Sequence, residues 1–322
     1  MGFNYKNRID NISLQLKKEK KNIAIMGIIE SFGQPLSGFE NVPILARDRG
    51  LLQKLSKGYD VSFEIINSKC LENEKICYNS FGSVIKNAFI IGNACYNLHL
   101  QMLSKYNDNK IPILIGGDHS IVCGSISSAV TIDDNIGIIW IDAHADINTP
   151  LSSRSMNMHG MPLSFLLGLS DSKSVKGFEW MNDITKLKPR NLIYIGLRSI
   201  DEDELEFIND LNIKNYSIED IKHKTIESVM DEILLYFSEI DNIHISWDID
   251  SIDPLYAPCT GTKVNDGLSI NESICIAKTL SKYKNIKSID MVEINPLLCQ
   301  NVNDVNKTVD LANYLISILM RV

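Results

Sequence analysis

The sequence predicts an α/β fold: a mostly parallel sheet covered on both faces by helices. Short runs rich in Ile and Val recur along the chain, and longer segments of helical periodicity separate them. Strands buried on both faces read as near-continuous apolar runs, because neither face meets water. Polar residues also cluster where the runs stop, and ligands of such sheets sit outside the carboxyl ends of the strands.

The runs follow one another at workable spacing. NIAIMGI begins at 22, VSFEII at 61, IPILIGG at 111 and IGIIWID at 136. LIYIGLR then begins at 192, IHISWDID at 243 and IKSIDMVEI at 286. Among the intervening segments, Thr225 to Ile240 and Asp304 to Met320 have helical periodicity. The 322 residues can bury a large core, and no stretch resembles a flexible linker, so one domain over 1–322 is expected.

Composition excludes several functions. A formal net charge of −8 argues against nucleic acid or an anionic membrane as partner. No run approaches the ~20 apolar residues of a membrane span. Lys17 to Lys21 (KKEKK) reads as a solvated helix end rather than a targeting signal. The cysteines Cys70, Cys77, Cys95, Cys123, Cys259, Cys275 and Cys299 are scattered and contain no CxxC pair. Reduced thiols in a cytoplasmic protein are therefore expected, rather than disulfides or zinc ligands.

Four strand ends carry the same chemistry. IPILIGG ends in Asp118-His119-Ser120, and IGIIWI ends in Asp142-Ala143-His144-Ala145-Asp146. IHISW ends in Asp248-Ile249-Asp250, with Asp253-Pro254 following, and SIDMV ends in Glu293-Ile294-Asn295-Pro296. Alternation along extended backbone lets Asp142, His144 and Asp146 point together, and likewise Asp248 with Asp250. Any one piece could be a helix cap or a turn. Acids gathered at one buried edge repel unless cations neutralise them, and that favours metal binding.

Charge counting narrows the metal. His119, Asp142, Asp146 and Asp248 would hold one ion, and His144, Asp142, Asp248 and Asp250 another, with two aspartates bridging. Four carboxylates then balance two divalent ions. Mostly oxygen ligands with one imidazole per ion suit Mn(II) better than zinc, with cobalt or nickel able to substitute. Paired ions ~3.5–4 Å apart lower the pKa of a bridging water and clamp an oxygen nucleophile.

IGGDHS at 115–120, DAHAD at 142–146, SWDIDSIDP at 246–254 and EINP at 293–296 together resemble the arginase/agmatinase (ureohydrolase) family. The resemblance extends from GQPLSGFENVP at 33–43 through the helix after Pro296. It implies a three-layer α/β/α fold with a mostly parallel sheet of about eight strands, and two Mn(II) ions per subunit. The implied reaction is hydrolysis of a guanidino group to urea and an amine by a metal-bridging hydroxide. The six proposed ligands fall on the family's ligand positions, and none is substituted.

Within the family, DINTPLSSRSMNMHGMP (146–162) resembles the arginase loop that holds the α-carboxylate of L-arginine. It implies carboxylate contacts from Asn148, Ser155 and Asn157, and proton transfer by His159. Asp201 would accept the α-ammonium, with Glu204 near a further acidic contact and Thr262 supplying a hydroxyl. Glu293 would pair with the substrate guanidinium, and Asp146 would carry a proton towards the leaving amine. Arginases usually have aspartate where Ser199 stands, and Cys259 and Lys263 replace common alanine and proline. Asp118 and Asp253 are expected to orient their neighbours, Trp140 and Trp247 to shield the site, and His99, His223 and His244 to be packing or surface residues. A homotrimer is implied. Agmatinase or another guanidino-acid hydrolase, and a metal-stabilised scaffold without turnover, are the alternative functions.

Overall fold

In the computed structural model, which describes residues 21–29, 32–66, 76–78, 84–282 and 285–322, all seven apolar runs are strands of one sheet. The strands begin with β1 (Asn22–Ile28), β2 (Asp60–Ile66), the antiparallel pair β3 (Ile76–Tyr78) and β4 (Val84–Lys86), and β5 (Lys110–Ile115). They continue with β6 (Gly137–Ile141), β7 (Leu192–Leu197), β8 (Lys214–Ser217), β9 (Asn242–Asp248) and β10 (Asn285–Val292). The large sheet runs β2-β1-β5-β10-β9-β6-β7-β8, and every pairing in it is parallel. Its eight strands match the expected number. The sequence did not reveal β8, because KNYS is polar, short and paired on one side only. The basic segment from Lys17 lies outside the described residues, apart from Lys21.

Side chains alternate between two cores. One face carries Ile25, Ile113, Ile139, Ile195, Ile245 and Met291 beneath α1 (Val42–Asp48), α2 (Leu51–Leu55) and four later helices. The other carries Met26, Leu114, Ile138, Trp140, Tyr194 and Val292 beneath α3 (Ala88–Asn107), α4 (Val122–Ile132) and α5 (Pro162–Leu167). The remaining helices are α6 (Glu202–Asp210), α7 (Ile218–Lys224), α8 (Ile226–Tyr236), α9 (Ile270–Ser281) and α10 (Val302–Leu319). The segment read as helical from Thr225 is α8, and Thr225 caps it by accepting the Ser228 N–H. The segment from Asp304 is α10, started two residues earlier because Asn301 accepts the Asp304 N–H. Among the described residues no helix is long and apolar enough to cross a membrane.

Register positions the site. Across the four central strands, Ile115 pairs with Met291, Met291 with Trp247, and Trp247 with Ile141. One level row therefore crosses β5, β10, β9 and β6. The residues just beyond it come from chain positions far apart, yet leave the sheet side by side.

The cysteine expectation is corrected. Cys259 and Cys299 form a disulfide, with Cα atoms 5.1 Å apart, whereas Cys95, Cys123 and Cys275 are free. Forty residues separate the pair in sequence, and spacing carries no sign of it. The Asn295 N–H donates to the Cys259 carbonyl at 2.8 Å, which brings the two segments together.

Helix α4 starts three residues after His119, so its seating fixes that residue. A Cβ on Gly124 would lie 2.5 Å from the Cys95 carbonyl oxygen and 3.0 Å from the Leu98 Cβ, on α3. Gly124→Ala should force α3 and α4 apart at a cost of about 1–3 kcal/mol. A lowered Tm in thermal unfolding is expected; an unchanged Tm would show that the helices part freely.

Candidate metal centre

The two aspartate-rich strand ends fold back on their own backbone. Asp142 Oδ1 accepts the His144 N–H at 2.8 Å, and Asp248 Oδ1 accepts the Asp250 N–H at 2.8 Å. Each turn uses one carboxylate oxygen and leaves Oδ2 to face the site. Asp146 reaches the same place through a left-handed backbone, φ +50°, which aspartate tolerates better than most residues.

These turns surround two imidazoles. His119 Nδ1 lies 2.9 Å from Asp142 Oδ2, 3.1 Å from Asp146 Oδ2 and 3.3 Å from Asp248 Oδ2. His144 Nδ1 lies 3.1 Å from Asp250 Oδ2 and 3.5 Å from Asp142 Oδ1. His119, Asp142 and Asp146 form one trio with ligand atoms close enough for a metal ion, and Asp142, His144 and Asp250 form a second. Asp248 approaches the first trio through His119 and the second through its bond to the Asp250 backbone.

The residues fit metal ions. His119 Nδ1 is buried without a hydrogen-bond partner, although three carboxylates face it. Its Nε2 sits 2.9 Å from Ser246 Oγ, and a proton held there leaves the Nδ1 lone pair for a metal. Trp140 stacks on the His119 ring at 4.1 Å and donates its indole N–H to Asp142 Oδ2 at 3.0 Å. The predicted shield is thus also a hydrogen-bond donor. Trp247 instead donates to Ser251 Oγ, within the turn after β9.

Without a metal, protons on the imidazoles offset part of the acids' charge, and burial raises Asp146, Asp248 and Asp250. Burial opposes charge on His144, but Asp250 and Asp142 push its pKa up to about 12. Burial likewise opposes charge on His119, and three aspartates raise its pKa well above the ordinary histidine range. Burial lifts the Asp146 carboxyl to about 6, reinforced by Asp142. Burial also acts on Asp142, but the two imidazoles hold it below the usual carboxylate range.

Glu293 stands just beyond β10 with φ +62° and is 1% exposed. Its Oε1 accepts the His119 N–H at 2.9 Å and lies 3.2 Å from His159 Nδ1. Its Oε2 is buried without a partner. Burial disfavours charge on His159, yet Glu293 raises its pKa to about 9.

A cleft of about 210 Å³ opens beside this centre, and Glu293 is not among its lining residues. Its lining includes His144, Asp146, Asp248, His159, Asn148, Ser155, Asp201, Glu204 and Thr262. Asn157 is not among the lining residues, and its N–H donates to Ser155 Oγ at 3.2 Å. Thr262 Oγ1 donates to Asp250 Oδ2 at 2.9 Å, so it serves a candidate ligand. Asp201 Oδ2 accepts from Asn148 Nδ2 at 3.0 Å. Glu204 accepts the Ile147 and Asp201 N–H groups, tying the metal loop to α6. Burial pushes the Glu204 carboxyl up to about 7.

Asp118 accepts from the N–H groups of Gly33 and Ser120, and Asp253 from those of Leu255 and Gly267. Both hold turns, as expected. His244 is fully buried between Ser288 Oγ and Asp290 Oδ2, and His99 meets Ser127 Oγ; both are packing residues. Sequence reasoning missed Arg198, whose guanidinium reaches the carbonyls of Asp250, Ser251 and Val264 and pins the loop ending at Thr262. Only the apolar residues before it marked its position, at the end of β7. It also passed over Ser153 and Arg154, which line the cleft.

The family model described as "Arginase family" matches residues 23–321. The chain is 35% identical over 301 residues to arginase-1 of Oryctolagus cuniculus, covering 92% of each. It resembles the crystal structure of Bacillus subtilis arginase with a TM-score of 0.84 and 33% identity, covering 93% of this chain and 98% of that one. Against Entamoeba histolytica arginase in complex with L-ornithine, the TM-score is 0.83 at 30% identity, over 94% and 100% of the chains.

A metal needs the imidazole lone pairs that protons occupy at neutral pH. Metal uptake should therefore release protons, and affinity should rise with pH through the neutral range, where both imidazoles are still protonated. Calorimetry with Mn(II) in buffers of different ionisation heats measures this directly; heats independent of buffer would contradict it. Asp248→Asn should lose bound metal as well, since it removes a charge from a balanced cluster.

Proposed function

Because this chain belongs to the arginase family, we propose that it hydrolyses the guanidino group of L-arginine, yielding L-ornithine and urea. The observation that carries this reading is Glu293, a buried carboxylate with a free oxygen set beside two metal-ligand trios. Two Mn(II) ions, held by His119, Asp142, Asp146 and Asp248 and by His144, Asp142, Asp248 and Asp250, would supply a hydroxide nucleophile and offset the acids.

Glu293 Oε1 is fixed by the His119 N–H, which leaves Oε2 to accept from the substrate guanidinium. That pairing orients the planar cation and holds its carbon in place for attack. Asp146 Oδ2 takes up a proton and passes it towards the departing amine. His159, partly open to solvent and protonated at neutral pH, moves protons between site and water as product leaves. Asp201 accepts the α-ammonium, its carboxylate steadied by Asn148. Asn148 and Ser155 donate to the α-carboxylate from the cleft wall.

Ser199 favours a second reading, agmatinase or another guanidino-acid hydrolase, because the cleft there lacks the aspartate usual in arginases. The trimer and the cytoplasmic location remain part of the proposal, supported by the family resemblance and by the three free cysteines. The Cys259–Cys299 disulfide points away from a reducing compartment. Sedimentation velocity and cell fractionation test these two points.

Protein loaded with Mn(II) should release urea from L-arginine in preference to agmatine and 4-guanidinobutyrate. Urea from agmatine but not from L-arginine would favour the second reading. Glu293→Gln should keep its metals and lose about 10²-fold or more in kcat, since a charged, orienting contact is removed. Full activity in that variant would remove Glu293 from the guanidinium site.

A further inference from the structure

The cleft mouth carries a charge that the family motifs do not account for. Arg154 lines the cleft between Ser153 and Ser155, which line it too. Among the described lining residues it has the only guanidinium or ammonium group, whereas Asp146, Asp201, Glu204 and Asp248 supply acids. Its side chain has no hydrogen-bonded or ion-paired partner among the described residues.

Of the neutral contacts assigned to the substrate carboxylate, Asn148 and Ser155 line the cleft and Asn157 does not. Asn148 is locked at both ends, its Nδ2 donating to Asp201 and its Oδ1 accepting from Ser152 Oγ at 2.8 Å. One amide hydrogen is left for a ligand. Ser155 Oγ accepts the Asn157 backbone N–H while keeping its own hydroxyl proton. A carboxylate placed here meets one amide hydrogen of Asn148, the serine hydroxyls and a single unpaired cation, Arg154.

Resting on the arginine-hydrolase reading above, we propose that Arg154 binds the substrate α-carboxylate and sets the preference for L-arginine over guanidino compounds lacking it. The guanidinium presents a planar fork of N–H donors that matches a carboxylate. With Asp201 taking the ammonium, opposite charges at the mouth match the zwitterionic end of an amino acid. A decarboxylated substrate would bring only its ammonium to this mouth, where Arg154 repels it. Discrimination then comes from repulsion as well as attraction.

The test uses Mn(II)-loaded wild type, Arg154→Gln and Arg154→Lys. Calorimetry would measure binding of L-ornithine and of 1,4-diaminobutane, which lacks the carboxylate. Arg154→Gln should weaken L-ornithine about ten- to hundred-fold, raise KM for L-arginine by a similar factor and change kcat little. Arg154→Lys, with the charge but not the fork, should fall between. Binding of 1,4-diaminobutane should hold or improve. Equal losses for both ligands, no loss for L-ornithine, or no L-ornithine binding to the wild type would each overturn the role of Arg154. Failure of the wild type to release urea from L-arginine would strike at the proposed reaction instead, while ornithine binding still judges Arg154.

Discussion

Four aspartates are buried within reach of one another at one end of the sheet, and their mutual repulsion constrains everything near them. Asp142 is fully buried, Asp250 is 1% exposed and Asp248 is 3% exposed. Withdrawing such charges from water costs several kcal/mol apiece, so each must meet positive charge or hydrogen-bond donors. The fold supplies donors from the backbone, through the turns at Asp142 and Asp248, and cations from His119 and His144. Both histidines turn Nδ1 towards the carboxylates, where metal ions would sit. A site that holds two protons against four acids is already shaped for divalent cations.

The sheet makes that gathering feasible. Only the order β5-β10-β9-β6 brings the ends near 115, 292, 248 and 141 into one row. Helices on both faces bury the strands, and backbone groups at the row are committed to the ladder. Non-glycine residues with positive φ stand at two of the exits, Asp146 and Glu293. Left-handed backbone costs such residues about 1–2 kcal/mol, and it persists here because packing over-determines it. The strained backbone turns both carboxylates to their positions, one towards His119 and the other onto the His119 N–H.

Loops at the open end are tied to this centre by specific contacts. Arg198 gathers the carbonyls around Asp250, Thr262 donates to the Asp250 carboxylate, and the disulfide from Cys259 fastens the same loop to the segment after Glu293. Glu204 clamps the loop after Asp146 to the start of α6. The mouth is thus built from elements that share hydrogen bonds with the candidate ligands, and a shift in one end is felt at the other. Its lining combines the acids Asp201 and Glu204 with the cation Arg154, which suits a ligand that ends in both an ammonium and a carboxylate.

The sequence by itself determined the strands, the residue types of the candidate ligands and the family. Strands buried on both faces must be apolar throughout, so seven of eight were legible, and acids at their ends have no structural reason to recur. β8 escaped because an edge strand need not be apolar. Tertiary structure alone decided which atoms meet. Alternation implied that Asp142, His144 and Asp146 share a side, but not that both histidines would present Nδ1, or that Thr262 would turn to Asp250. It also decided that Asn157 stays outside the cleft, that Cys259 joins Cys299, that Arg198 pins the Asp250 loop and that Arg154 lines the cleft. Those outcomes depend on contacts between segments tens of residues apart, and local pattern carries no record of them.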